Sequence, residues 1–202
     1  ESHHTVPDGW VRLPELVPLV HQYDVPVILD GAAQDQRLGE LIDLGCDLVI
    51  TSAHKFLCST TGGIVAGRKD LIDAVYLQNR GIGRGMKAGK EAILGAMTAL
   101  EYRMQQDMGA WAAEQDRKVQ FILDQLTGVP GLGLSVDPDP NGCPFSRARL
   151  TPDPQATGCS ARQLTERLAE GNPTVVARAH HADEGYIYLD GIEMSDDDIV
   201  LA

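Results

Sequence analysis

Basic residues are in the minority in this sequence, with 17 Lys and Arg against 29 Asp and Glu and a formal net charge of −12. Polyanions repel such a chain. This argues against non-specific binding to nucleic acid or anionic membranes, and against an RNA-bound substrate, while leaving room for a local basic patch. Cysteine is sparse: Cys46, Cys58, Cys143 and Cys159 show neither a CxxC motif nor paired histidine spacing. A disulfide framework and a zinc site are therefore not expected, and free thiols in a cytoplasmic protein are. No apolar run approaches the roughly 20 residues that span a bilayer. The opening Glu1-Ser2-His3-His4 shows no signal-peptide pattern. What the sequence does have is 202 residues, 43% of them apolar, enough to bury the core of one domain or one and a half.

The most informative stretch is 25–68. An apolar run at 26–30 ends in Asp30, a short helical segment follows at 35–44, and a second run at 47–51 leads into Ser52-Ala53-His54-Lys55. After a loop of small residues, 63–67 reads as a strand turning back antiparallel. Strand–helix–strand order places Asp30 and Lys55 outside the carboxyl ends of neighbouring strands, where open α/β sheets bind ligands. Both strands read as buried on both faces. A lysine in a dry site loses its proton more readily and can form an imine with an aldehyde. Pyridoxal 5′-phosphate (PLP) needs such a lysine, and an acid facing its pyridine nitrogen. Ser52 and His54 can donate to a phosphate. Thr60, Thr61, Gly62 and Gly63 form a loop small enough for one to approach closely.

On these residues the sequence resembles the fold-type I PLP enzymes. Within them it is similar to the selenocysteine-synthase-like group, which includes L-seryl-tRNA(Sec) selenium transferase relatives and D-glucosaminate-6-phosphate ammonia-lyases. SHHTV, DGAAQ, GRKDLI and GRGMKAGKE all resemble that group. The resemblance implies that Lys55 carries the Schiff base, that Asp30 lies under the pyridine nitrogen and that Ala32 lies against the ring. It further implies phosphate donors at Ser52, His54 and Thr61. Gln34 is either a contact to the phenolic oxygen, one residue later than in cysteine desulfurases, or a helix-entry residue. Ser2, His3 or His4 is either a group near that oxygen or part of an exposed terminus. In the family a long segment precedes the aspartate strand, so further residues are expected before Glu1.

The rest of the chain fits around this. A helix is expected over 13–23, although Pro18 weakens it, and an amphipathic helix over 69–78. Residues 79–89 contain Arg80, Arg84 and Lys87 among four glycines. They read either as a mobile solvated linker or as a loop in which Arg84 and Lys87 hold a substrate phosphate or carboxylate. One long helix is expected from Lys90 to about Leu126, kinked near Gly109, with Trp111 and Phe121 in the core. Residues 127–202 read as a small α+β domain. Its expected strands lie at LGLSV, SRARLTP, TVVARAH and GYIYLD; Ser160 caps a helix over 160–169, and a last helix starts near Ser195. Cys159, at a helix entry, is a poor persulfide cysteine. Arg178 is either the arginine that holds the substrate carboxylate or a structural ion-pair member.

The expected fold class is therefore α/β: part of a PLP-dependent transferase-like large domain (1–88), a linking helix (89–126) and a small C-terminal α+β domain (127–202). The expected activity is Cα deprotonation and β-elimination on a hydroxylated or sugar-derived amino acid, releasing ammonia and a 2-oxo acid. Selenium transfer, transamination, racemisation and a non-catalytic fragment are the alternatives. A homodimer or higher homo-oligomer with shared active sites is implied.

Overall fold

Apolar spacing at Leu13, Val17 and Val20 gives helix α1 (Leu13–His21), with Pro14 in its first turn, where no N–H is missed. Pro18 sits inside the helix and does not end it. The computed structural model describes residues 11–140, 142–192 and 194–201. They fall into two units, one running to Gln106 and the other from Asp107.

In the first unit, β1 (Ile28–Asp30) lies parallel to β2 (Leu48–Ser52), with Asp30 opposite Ile50. A short 3₁₀ turn, Asp35–Arg37, and α2 (Leu38–Asp43) make the crossover. Next, β3 (Gly63–Gly67) returns antiparallel to β2 and completes a three-stranded sheet of order β1-β2-β3. The core comprises Val17, Leu29, Leu41, Cys46 and Val49, so α1 and α2 cover a single face. The opposite face carries Ile28, 59% exposed, and Ile50, 41% exposed. The expectation that both faces are buried is therefore corrected: alternation along each strand sends these isoleucines to the side no described element covers.

Asp47 ties the amino ends of the two parallel strands together. Its carboxylate accepts from Val27 N (2.7 Å) and Arg68 (2.7 Å) and shares a hydrogen bond with His21 Nε2 (2.8 Å). Burial pushes this carboxyl up, but those three bonds outweigh it and hold it at about 2. Gly67 (φ +144°) passes so close to Asp47 that a Cβ there would lie 2.1 Å from the Asp47 carbonyl oxygen, so only glycine fits.

Helix α3 (Lys69–Leu77) follows. The glycine-rich stretch that follows, read as a linker or an anion-binding loop, contains two 3₁₀ turns, Gln78–Arg80 and Ile82–Met86. The single long helix expected next is two helices, α4 (Lys90–Gln105) and α5 (Met108–Leu126). The break falls at Gln106–Asp107, near the Gly109 kink expected, where Gln106 is extended and Asp107 caps α5 by accepting from Ala110 N.

In the second unit, β4 (Leu132–Pro138), β5 (Ser146–Pro152) and β6 (Ile187–Leu189) form an antiparallel sheet of that order. After the short α6 (Pro154–Thr157) comes α7 (Ala161–Glu170). A reciprocal capping box between Ser160 and Gln163 starts α7. Val119, Ile122 and Leu123 of α5 and Ala161 of α7 form a core with Ala148, Leu150 and Ile187 of the sheet. The strand expected at 174–180 is reduced to one bridge, Arg178 to Tyr188. Beyond that bridge the segment has no partner strand among the described residues, and Val176 is 86% exposed. The last helix, α8 (Asp196–Leu201), starts where expected, with three aspartates in its first turn.

Candidate active site

The carboxyl ends of β1 and β2 gather the residues singled out in the sequence. Asp30 ends β1, and its Oδ1 accepts from Ala32 N at 3.1 Å. The backbone then crosses to β2: Gly31 N donates to the Ile50 carbonyl (2.8 Å) and Ser52 N to the Ala32 carbonyl (3.1 Å). These bonds carry the pairing two residues past Asp30 and bring Ala32 beside Ser52. Ser52 Oγ and His54 Nδ1 share a hydrogen bond at 3.0 Å, with Nδ1 also 3.4 Å from the Gly62 carbonyl.

Lys55 follows at the head of a tight turn. Cys58 N donates to the Lys55 carbonyl (2.9 Å), Ser59 N to the Ala53 carbonyl (2.8 Å), and Ala53 N to the Gly62 carbonyl (3.0 Å). Thr61 lies in the same loop and is exposed. The amides of Ala53, Cys58 and Ser59 are thus spent inside the loop, which holds the lysine at the sheet edge. The dry surroundings expected for Lys55 are not what the structure shows: the residue is exposed.

Other residues fall differently. Gln34 is 1% exposed, with Oε1 accepting from Arg37 at 3.0 Å, an interior residue of the turn after β1. Ser2, His3 and His4 lie outside the described residues. Arg84 and Lys87 are exposed, and neither makes an ion pair among the described residues. Arg178 donates to Asp190 at 2.7 Å, and Arg147 donates to the same oxygen at 2.9 Å, so Arg178 belongs to an ion-pair network. Cys159 is buried, its thiol 3.8 Å from Thr157 Oγ1. It lines an apolar cavity of about 540 Å³ within the second unit, together with Ile122, Leu150 and Leu168.

Sequence reasoning missed Arg103, in the last turn of α4. It donates from one nitrogen to Asp35 (2.8 Å) and from another to the Phe56 carbonyl. No spacing rule links residues 68 and 47 positions apart, and only the fold could bring them together.

The arrangement fits a polar, anionic group with an aldehyde. An acid, a free amine, a hydroxyl and an imidazole converge on one sheet edge. Among the described residues, six of the eight buried side-chain atoms lacking a hydrogen-bond partner belong to Gln34, Asp35, Gln36, Thr51 and Ser59, beside this edge. Buried polar atoms are ordinarily satisfied, so such a concentration marks a place built for more than packing. Among the described residues no cluster of three or more His, Cys, Asp or Glu could hold a metal, and no helix is long and apolar enough to cross a membrane.

Strand ends carrying an acid and a lysine in this order are the arrangement expected of the fold-type I pyridoxal-phosphate-dependent class. The aminotransferase class-V family model matches residues 8–162, and the chain belongs to that family, whose members depend on pyridoxal phosphate. The chain is 36% identical to 5′-C-glycyluridine monooxygenase-decarboxylase from a Streptomyces species, over 96% of this chain and 48% of that protein. It is 29% identical to D-glucosaminate-6-phosphate ammonia lyase from Salmonella typhimurium, over 100% of this chain and 53% of that protein. A solved structure of D-glucosaminate-6-phosphate ammonia-lyase superposes with a TM-score of 0.75 over the whole chain and 53% of that structure. L-seryl-tRNA(Sec) selenium transferase from Aquifex aeolicus is 26% identical over 83% of this chain and 43% of that protein. The chain thus spans about half the length of the relatives it matches.

Proposed function

We propose that the edge formed by β1 and β2 binds pyridoxal 5′-phosphate, and that the protein is a C–N lyase releasing ammonia and a 2-oxo acid from a hydroxylated or sugar-derived amino acid. The observation that carries this is the adjacency of Asp30 and the Ser52–His54–Lys55 turn on neighbouring parallel strands. When bound, the cofactor supplies an aldehyde for a lysine and a ring that accepts the electrons left when a bond at Cα breaks. The Lys55 amine holds the aldehyde carbon and, once free, takes the Cα proton of the substrate. The Asp30 carboxylate, oriented by the Ala32 N–H, accepts from the ring nitrogen and keeps a proton on it. Ala32 offers a small surface to the ring. Ser52, His54 and Thr61 donate to the phosphate. Arg84 and Lys87 are the cations for a substrate phosphate or carboxylate, reached in a homo-oligomer whose sites are shared between subunits. Loss of the Cα proton and the β-hydroxyl leaves a product that hydrolyses to the 2-oxo acid and ammonia. The protein works in the cytoplasm on a small molecule rather than on nucleic acid.

Similarity to D-glucosaminate-6-phosphate ammonia lyase over the whole of this chain and about half of that protein supports this substrate class. The 36% identity to the 5′-C-glycyluridine enzyme favours a second reading, in which the same residues serve an oxygen-dependent decarboxylation. Product analysis separates them. With D-glucosaminate 6-phosphate or a β-hydroxy amino acid, ammonia and 2-oxo acid should appear in equal amounts without oxygen uptake. Oxygen consumption with carbon dioxide release from a glycyl nucleoside would favour the second reading.

A further inference from the structure

Two loops must stay in register for the proposed site to work: the turn after β1, which follows Asp30, and the turn after β2, which holds Lys55. One side chain from outside the sheet joins them. Arg103 of α4 donates to Asp35, in the first turn, and to the carbonyl of Phe56, the residue next to Lys55. The pair is well buried, Arg103 being 17% and Asp35 4% exposed. Burial pushes the Asp35 carboxyl up, and the Arg103 charge only partly offsets this. A buried ion pair is a poor source of stability, because desolvation consumes most of its attraction; where one is retained, it can serve to fix a geometry.

A second contact places α4 against the same loop. A Cβ on Gly95 would lie 2.9 Å from Thr60 Oγ1 and 3.1 Å from Ser59 Oγ. The helix therefore approaches the far end of the Lys55 loop as closely as a bare backbone allows, two turns before Arg103 reaches its near end. The planar guanidinium suits two acceptors in different directions, whereas the single ammonium of lysine is a point charge on a flexible stem.

From these contacts we propose that Arg103 is a positioning residue, clamping the Lys55 turn to the Asp30 turn through Phe56 and Asp35. The inference rests on the proposed cofactor site, but its first consequence needs no cofactor. In Arg103→Lys, which keeps the charge beside Asp35 but not both bonds, amide exchange at Cys58, whose N–H bonds to the Lys55 carbonyl, should quicken by about tenfold or more, while amides of β2 and the melting temperature change little. In the protein at its natural length, borohydride fixation of pyridoxal phosphate on Lys55 should also slow by about tenfold or more, since small misplacements of a reacting group are costly. Asp35→Asn leaves the Phe56 bond in place but removes the charge partner. It should give the same two changes in weaker form, and it carries the comparison if Arg103→Lys does not fold.

Exchange and fixation at wild-type rates in the folded variant would overturn the clamp, as would exchange quickened equally throughout the first unit. If wild-type Lys55 itself takes no label, the cofactor reading fails, and the clamp's catalytic meaning with it. Labelling of the wild type with no slowing in the variants sinks the clamp alone.

Discussion

Asp47 and Asp30 sit at opposite ends of the same pair of parallel strands, and their surroundings assign them different work. Asp47 is buried and held by three partners from α1, the approach to β1 and the end of β3. Its carboxyl lies at about 2, below the ordinary 3.8. A group with a depressed folded-state pKa contributes stability that is complete above the unfolded value and lost as pH falls through the folded one. Asp47→Asn should therefore cost about 1–3 kcal/mol near neutral pH. In urea titrations the gap between wild type and variant should narrow as pH falls from 3.8 to about 2. A gap independent of pH would show that the charge is not what matters.

Asp30 is exposed, and among the described residues its side chain bonds only to its own turn. Asp30→Asn should leave the fold and cofactor uptake intact and lower turnover by about a hundredfold, the scale of losing one electrostatic contact to developing charge. Near wild-type turnover would count against its place under the ring nitrogen. Asp30, Ser52, His54 and Lys55 were legible in the sequence, because each follows an apolar run and the order of runs fixes the sheet edge. Asp47 was not, because one acid before a strand looks like any solvated turn residue until His21 and Arg68 fold onto it.

At the scale of elements, local chemistry was legible where it is self-contained. Ser160 was read as a cap, and the capping box with Gln163 is there. Ser160→Ala should cost about 1 kcal/mol in chemical unfolding of the second unit; no measurable loss would mean that α7 is held by packing alone. The antiparallel return of β3 was legible too. The elements misread are those whose state depends on a neighbour. Val175 and Val176 have strand propensity but no partner strand beyond the Arg178–Tyr188 bridge. The interruption near Gly109 was legible, but as a kink rather than a full break, because the capping side chain of Asp107 starts a second helix.

For the whole molecule, the deciding feature is apolar surface that nothing described covers. Ile28 and Ile50 on the sheet and Ile93, Leu94 and Met97 on α4 are all exposed. A monomer seldom leaves large apolar patches open, so such surface marks an interface. The 202-residue chain alone should sediment as self-associated species. Leu94→Lys with Met97→Lys should shift it towards monomer without lowering its melting temperature, since neither residue is buried. An unchanged distribution would place the contact elsewhere.

The central claim is that Lys55 at the end of β2 is the residue that takes the cofactor. The direct measurement is peptide mapping by mass spectrometry after borohydride treatment of the protein at its natural length, loaded with pyridoxal 5′-phosphate. The account predicts one pyridoxyl group per chain, on the peptide containing Ser52-Ala53-His54-Lys55. A stoichiometric label on any other lysine, with Lys55 unmodified, would contradict it.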